Sequence, residues 1–333
     1  MPRILNVLGR IARGFERAAF RPSTLPDDVV SLVALVPPLA AGLLIFRLPA
    51  AMLLGIALAI GVAAHVAARF TRQRIWMSPV IAALVGAGLI GAGADLAWST
   101  AAGLAAAVLE LLRGRLLPRA RVHTGLLAYA AVLLASQGAP AAYLHPLSTR
   151  PEMEPIRLWL NFFEPSSAPV NAVMLYVGNV PGPIIATSLL AVAISVAWLW
   201  YADRLAIGVL LGFGVGALVP ISVMHWNPVF QLASGPLWFV AGLILAEKRF
   251  LPAARHLAPL LGFAAAVAAV APRARGYSIE AALVAGAGVQ LAIAATEGGV
   301  WLLIERQKVA ETFRRIWGKS AALRFNRSKA SGA

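Results

Sequence analysis

The apolar runs of this chain are cut at intervals of roughly 20 residues, the length a helix needs to cross a hydrocarbon core, by short breaks of charged and turn-forming residues. No soluble core accounts for so much apolar surface. Of 333 residues, 60% are hydrophobic and only 13% are charged, with a mean hydropathy of +0.78, which leaves too thin a polar coat. Lipid must act as solvent, and in lipid only helices and closed barrels satisfy their own backbone. The pattern predicts an all-α integral membrane protein of about ten transmembrane helices, over 29–46, 49–68, 78–94, 96–112, 123–138, 184–202, 205–224, 232–247, 256–271 and 280–303.

The breaks alternate in charge. Those at 70–76, 113–121, 203–204 and 247–255 are basic, whereas those around Arg47, Asp95 and 225–230 carry little charge, which is a positive-inside pattern. On ten crossings, only Arg47, Arg150, Arg157, Arg273 and Arg275 of the 29 basic residues fall on the outer side. Both termini are then cytoplasmic, in a multi-pass protein of the bacterial inner membrane. The net charge of +15 is explained by topology and anionic lipid, not by nucleic acid.

Residues 1–28 read as a cytoplasmic amphipathic helix, with Ile4, Leu8, Ile11 and Phe15 on one face and Arg3, Arg10, Arg13 and Arg17 elsewhere. They lack the small-residue cleavage pattern of a removable signal peptide. Residues 305–333 form a basic cytoplasmic tail. Between these ends, a five-helix unit at 29–138 and another at 184–304 flank a proline-rich outer loop at 139–183. An odd number of crossings per unit makes the second inverted relative to the first, an arrangement common in proteins with midplane sites. The middle of the loop, 156–163, is amphipathic enough to lie along the outer interface.

Cysteine is absent, so this chain supplies no disulfide, iron–sulfur or zinc thiolate. Its five histidines show no helix-spaced ligand pair, and a haem held between spans stays an open alternative. Glycines recur at close-packing intervals, as at Gly86, Gly88, Gly91 and Gly93, at Gly212 with Gly216, and at Gly286 with Gly288. Pro37-Pro38 removes two successive donors and predicts a kink or discontinuity in the first span.

Polar groups inside a bilayer are functional candidates by default. Gln290 and Glu297, seven residues apart, share one helix face and form a candidate ion path; a last span ending near Ala295 would leave Glu297 merely interfacial. His65 reads as a neutral histidine bonded to a neighbouring helix. Glu110, one turn before Arg113, reads as one half of a helix-end salt bridge.

Several segments resemble the RnfD/NqrB family, the flavin-carrying membrane proteins of Rnf and sodium-pumping NADH:quinone reductase complexes. Residues 31–69, with Pro37-Pro38 and then Ala40-Ala41-Gly42, are similar to the family's opening spans. Gly178-Asn179-Val180-Pro181-Gly182-Pro183-Ile184-Ile185-Ala186-Thr187-Ser188 resembles its Gly-x-x-x-Gly-Ser-x-Gly-Glu-Thr-Ser segment. Pro228, Leu232, Ser234-Gly235 and Phe239 resemble its eighth span, and Gly276-Tyr277 with Glu280 its Gly-Gly-Tyr-Pro-Glu-Gly turn. The matches are short and ordered over most of residues 25–305.

The resemblance implies a membrane component of a redox-driven, ion-translocating electron-transport complex, with other membrane subunits as partners. It also implies FMN near the outer face, with Gly178, Gly182, Thr187 and Ser188 as candidate cofactor-binding residues. In the family FMN is esterified to a threonine in a Ser-Gly-Ala-Thr motif. Here the loop offers only Leu147-Ser148-Thr149-Arg150-Pro151, which leaves Thr149 as the one candidate acceptor with suitable topology. The family's Thr-Asp-Pro after the eighth span has become Ala246-Glu247-Lys248. These departures point to flavin held without a covalent link, or to a cofactor-free assembly or structural role. The third alternative is a small-solute or ion transporter of related fold.

Overall fold

A computed structural model describes residues 25–73, 75–117, 120–252 and 255–297. The expected amphipathic helix in residues 1–28, the tail at 305–333 and the end of the last span lie wholly or mostly outside the described residues. The described residues form helices and no named strand; pairing is limited to isolated bridges such as Gly91 with Pro183. In chain order the helices are α1 (Asp27–Phe70), α2 (Pro79–Gly88), α3 (Leu96–Leu116), α4 (Thr124–Ala135), α5 (Pro155–Phe162), α6 (Ala172–Val177), α7 (Leu189–Tyr201), α8 (Ile207–Val223) and α9 (Pro228–Ala233). Then follow α10 (Leu237–Phe239, continued by the π-helical turn Val240–Leu245), α11 (Ala258–Val270) and α12 (280–297).

The helix α1 contains 44 residues, and a straight helix of that length would run about 66 Å. It reverses instead at Arg47, whose φ of 53° and ψ of −125° are non-helical. The ends show the reversal. Arg249 pairs with Asp28 at 2.7 Å and lies 4.6 Å over the ring of Trp76, close beyond the far end of the same helix. The break expected near Arg47 is therefore present, while at Pro37-Pro38, expected to kink or interrupt the span, the helix is not interrupted and runs through both prolines. A proline removes a donor without forcing the chain out of helical dihedrals, and packed surroundings tolerate the loss.

The fold-back gives the bundle two unlike ends. One, the basic end, gathers the breaks after α1, α3, α7 and α10, where Arg204 meets Asp27 at 2.5 Å, Lys248 meets Asp203 at 2.5 Å, and the Arg121 guanidinium donates to the Leu251 carbonyl at 2.8 Å. The other, the loop end, carries residues 139–188. There Gly91 N–H donates to Pro140 at 2.9 Å and Gly93 N–H to Ala142 at 3.0 Å, so the loop closes over the end of α2.

Two short helices lie at the centre. Every residue of α2 except Val80 is buried, and so is every residue of 237–245 except Trp238. Around α2 pack α1, α3 and α4, and α8 packs along α11. The α8–α11 contact is backbone to backbone: a Cβ on Gly212 would stand 1.9 Å from the Pro259 carbonyl oxygen, and one on Gly262 would stand 2.0 Å from that of Val209. The packing role expected for Gly212 and Gly216 holds, whereas Gly288 faces open space.

Two helices, α1 and α3, are long and apolar enough to cross a membrane; α2, α4, α7 and α8 are apolar but shorter. Residues 184–188, expected to open the sixth span, are not helical, and the expected eighth span is divided between α9 and α10.

The Gly212→Ala protein is expected to lose about 1–3 kcal/mol of stability through overpacking, with a lower Tm in detergent. Gly288→Ala, by contrast, should be neutral or stabilise by roughly 0.5–1 kcal/mol. Equal melting of the two variants would contradict the close α8–α11 contact.

Candidate functional site

The candidate cofactor residues of the sixth span come together, but as a packed knot. Gly178 ends α6 with φ of 93°, and a Cβ there would stand 2.7 Å from Ser188 Cα. Gly182 lies against Thr187, whose hydroxyl donates to the Pro183 carbonyl, and the Ser188 hydroxyl caps α7 by accepting Ala191 N–H at 3.3 Å. Ile184 and Ile185 donate their N–H groups to Ile90 and Gly88 at 3.1 and 3.0 Å, tying the knot to α2. These side chains are spent on the fold. Thr149 stands apart in an exposed turn with φ of 52°, its hydroxyl donating to the Ser148 carbonyl at 2.8 Å.

Gln290 is fully buried, and its Oε1 accepts the His123 N–H at 2.8 Å, anchoring the start of α4 to α12. Its Nε2 is buried without a partner. Glu297 is half-buried at the last described residue of α12, seven residues beyond Gln290. His65 meets the Ser78 hydroxyl at 3.3 Å, the neighbouring-helix bond expected for it. Glu110 pairs with Arg113 as expected and does more: it accepts Met77 N–H and the Thr124 hydroxyl, each at 3.0 Å, just ahead of α2.

A junction where the two units meet adds residues that sequence reasoning missed. A cavity of about 10 Å³, room for one water, is lined by Ser31 of α1, Ile81 and Val85 of α2, His123, and Leu243 and Glu247 at the end of α10. The Glu247 carboxylate is 5% exposed and accepts the Ser31 hydroxyl at 2.6 Å. Carboxylate, hydroxyl and imidazole thus face one small space at the end of a π-helical turn, a rare element that marks functional sites. Such a set can hold a proton or a small cation. A signal was present in the sequence: Glu247 is an acid directly following an apolar run.

At the loop end, Glu154 is 1% exposed and accepts the N–H groups of Ile156 and Arg157, each at 2.6 Å, together with the Ser278 hydroxyl. Burial pushes its carboxyl up to about 7, against the lowering effect of the Ser278 hydrogen bond, while nearby Glu280 raises it further. Arg273 is 1% exposed and donates to the carbonyls of Gln231 and Ser234 at 2.9 and 3.4 Å and to Gln231 Oε1 at 2.5 Å. Burial lowers it to about 10, and Glu154 opposes that shift. The amphipathic middle of the loop is α5, which buries Ile156 and Trp159, the latter edge-on to Trp226 at 5.3 Å, and exposes Phe162 and Phe163. Beside this network opens a cleft of about 1060 Å³ between the ends of α4 and α11 and the start of α12.

The chain has no cysteine to ligate an iron–sulfur cluster or form a disulfide, and no group of three or more metal-ligating side chains occurs among the described residues. No protein-family model matches the chain, and no curated protein matches it.

Glu154 gives a pH prediction. Its folded pKa lies above the unfolded value of 4.5, so its contribution is complete below about 4.5 and is lost as pH rises through about 7. Melting between these limits should show stability falling with rising pH, and Glu154→Gln should flatten that slope. A slope unchanged in the variant would assign the effect elsewhere.

Proposed function

We propose that the chain is a multi-pass component of a redox-driven, ion-translocating electron-transport complex of the bacterial inner membrane, related to the RnfD/NqrB family. Its covalent flavin site has degenerated. The basic end faces the cytoplasm and residues 139–183 face the periplasm, with about ten crossings in two inverted units and both termini cytoplasmic. Large apolar side chains exposed along both limbs of α1, such as Leu44 at 79% and Leu48 at 68%, support lipid contact, as does the placement of so few arginines at the loop end.

One observation carries the ion-handling part: the Glu247, Ser31 and His123 cavity at the meeting of the two units. Broken helices at a repeat interface are where ion sites of inverted-repeat membrane proteins lie. Glu247 is assigned the cation- or proton-binding role, with Ser31 orienting it. Gln290 supports the site through His123. FMN, where this protein carries it, is held without an ester, because Leu147-Ser148-Thr149-Arg150 lacks the Gly-Ala step before the threonine.

A second reading has its own support. Thr187, Ser188, Gly178 and Gly182 are consumed in packing, which favours a cofactor-free structural or assembly role.

Two measurements on the intact complex separate these readings. Glu247→Gln is expected to abolish ion uptake into proteoliposomes, and uptake at the wild-type rate would refute the assigned role. Flavin should be found in the native preparation of this protein, with no fluorescence surviving denaturation and no change in Thr149→Ala. A native preparation without flavin would refute the redox reading.

A further inference from the structure

The loop-end cleft plays no part in the ion junction. Its floor is apolar, with Leu133 of α4, Val267 of α11 and Val284 of α12, and its mouth carries Arg157 of α5 and Arg275. At about 1060 Å³ it exceeds the roughly 300–1,000 Å³ of ordinary small-molecule sites.

At the basic end Arg113, Arg204, Lys248 and Arg249 each meet a carboxylate within 4 Å, while the exposed Arg69, Arg72 and Arg115 do not among the described residues. Among the described residues neither Arg157 nor Arg275 does, although both are exposed. Glu280 also lines the cleft, but accepts the Tyr143 hydroxyl at 3.2 Å. Two guanidinium forks with one carboxylate beside them leave the cleft net positive, which suits a phosphate, a group arginine binds bidentately.

An occupant must therefore carry an anionic head at the loop end and hydrocarbon running along α4, α11 and α12. We infer that the cleft binds an anionic phospholipid of the outer leaflet, its phosphate between Arg157 and Arg275 and its acyl chains on the apolar floor. The inference rests on the membrane placement proposed above and is independent of the redox reading.

The test uses the full chain in detergent, titrated with dioctanoyl phosphatidylglycerol, dioctanoyl phosphatidylcholine, inorganic phosphate or FMN while Tm is followed, since a ligand of the folded state raises Tm with concentration. Phosphatidylglycerol alone is expected to stabilise. Arg157→Gln and Arg275→Gln should each weaken it roughly fivefold, Ala268→Trp, which fills the floor, should abolish it, and Arg150→Gln, outside the cleft, should leave it intact. Equal stabilisation by phosphatidylcholine, an unchanged preference in the double arginine variant, or stronger stabilisation by FMN that phosphatidylglycerol reverses would overturn the lipid site. Release of the protein from membranes by alkaline carbonate would instead overturn the membrane placement beneath it.

Discussion

Each interruption of a helix within an apolar bundle strands backbone donors or acceptors that must find partners inside the protein, and this chain interrupts its most deeply buried helices. The solutions at the two ends of the bundle are complementary in charge. Ahead of α2 the stranded group is an N–H, that of Met77, and the buried Glu110 carboxylate takes it. Ahead of α10 the stranded groups are the carbonyls of Gln231 and Ser234 at the end of α9, and the buried Arg273 guanidinium takes them. A carboxylate suits donors and a guanidinium suits acceptors, as helix-end electrostatics require. At the far end of α2 the free carbonyls of Gly88 and Ile90 are taken by Ile185 and Ile184 of the opposite unit. The broken helices thus join the two halves, and the Glu247 junction lies where they meet.

The same constraint explains why the knot at 178–188 is packed rather than open. Its backbone runs beside α2 without being helical, so its polar groups are spent on α2, on Thr187 and on the Ser188 cap. A segment committed in this way has little freedom to receive a cofactor ring. The loop end retains space to one side, in the cleft beside Glu280.

Features set by neighbours in sequence were legible in it. The reversal at Arg47, the Glu110–Arg113 pair one helical turn apart, and the α8 glycines that meet α11 all follow from local spacing and residue type. The roles that escaped depend on partners remote in the chain. Ser31 and Glu247 are 216 residues apart, and Ser278 is 124 residues from Glu154. Neither pairing leaves a periodic trace. Gln290 reads as a candidate because an intramembrane amide is costly, while the partner of its Oε1, the His123 N–H, is equally invisible in the sequence. Pro37-Pro38 does not interrupt the helix, because a packed bundle tolerates missing donors that local propensity alone would count as a break.

The ion junction and the lipid cleft both require that the bundle's two ends lie on opposite sides of a membrane, and the cysteine-free chain allows this to be measured without background. Single cysteines placed at Thr71, exposed at the basic end, and at Ser148, exposed at the loop end, would be treated in whole spheroplasts with a membrane-impermeant maleimide. The Ser148→Cys protein should label at once, and the Thr71→Cys protein only after permeabilisation. Labelling of both from the same side would contradict the two-sided architecture, and with it the ion junction and the lipid cleft.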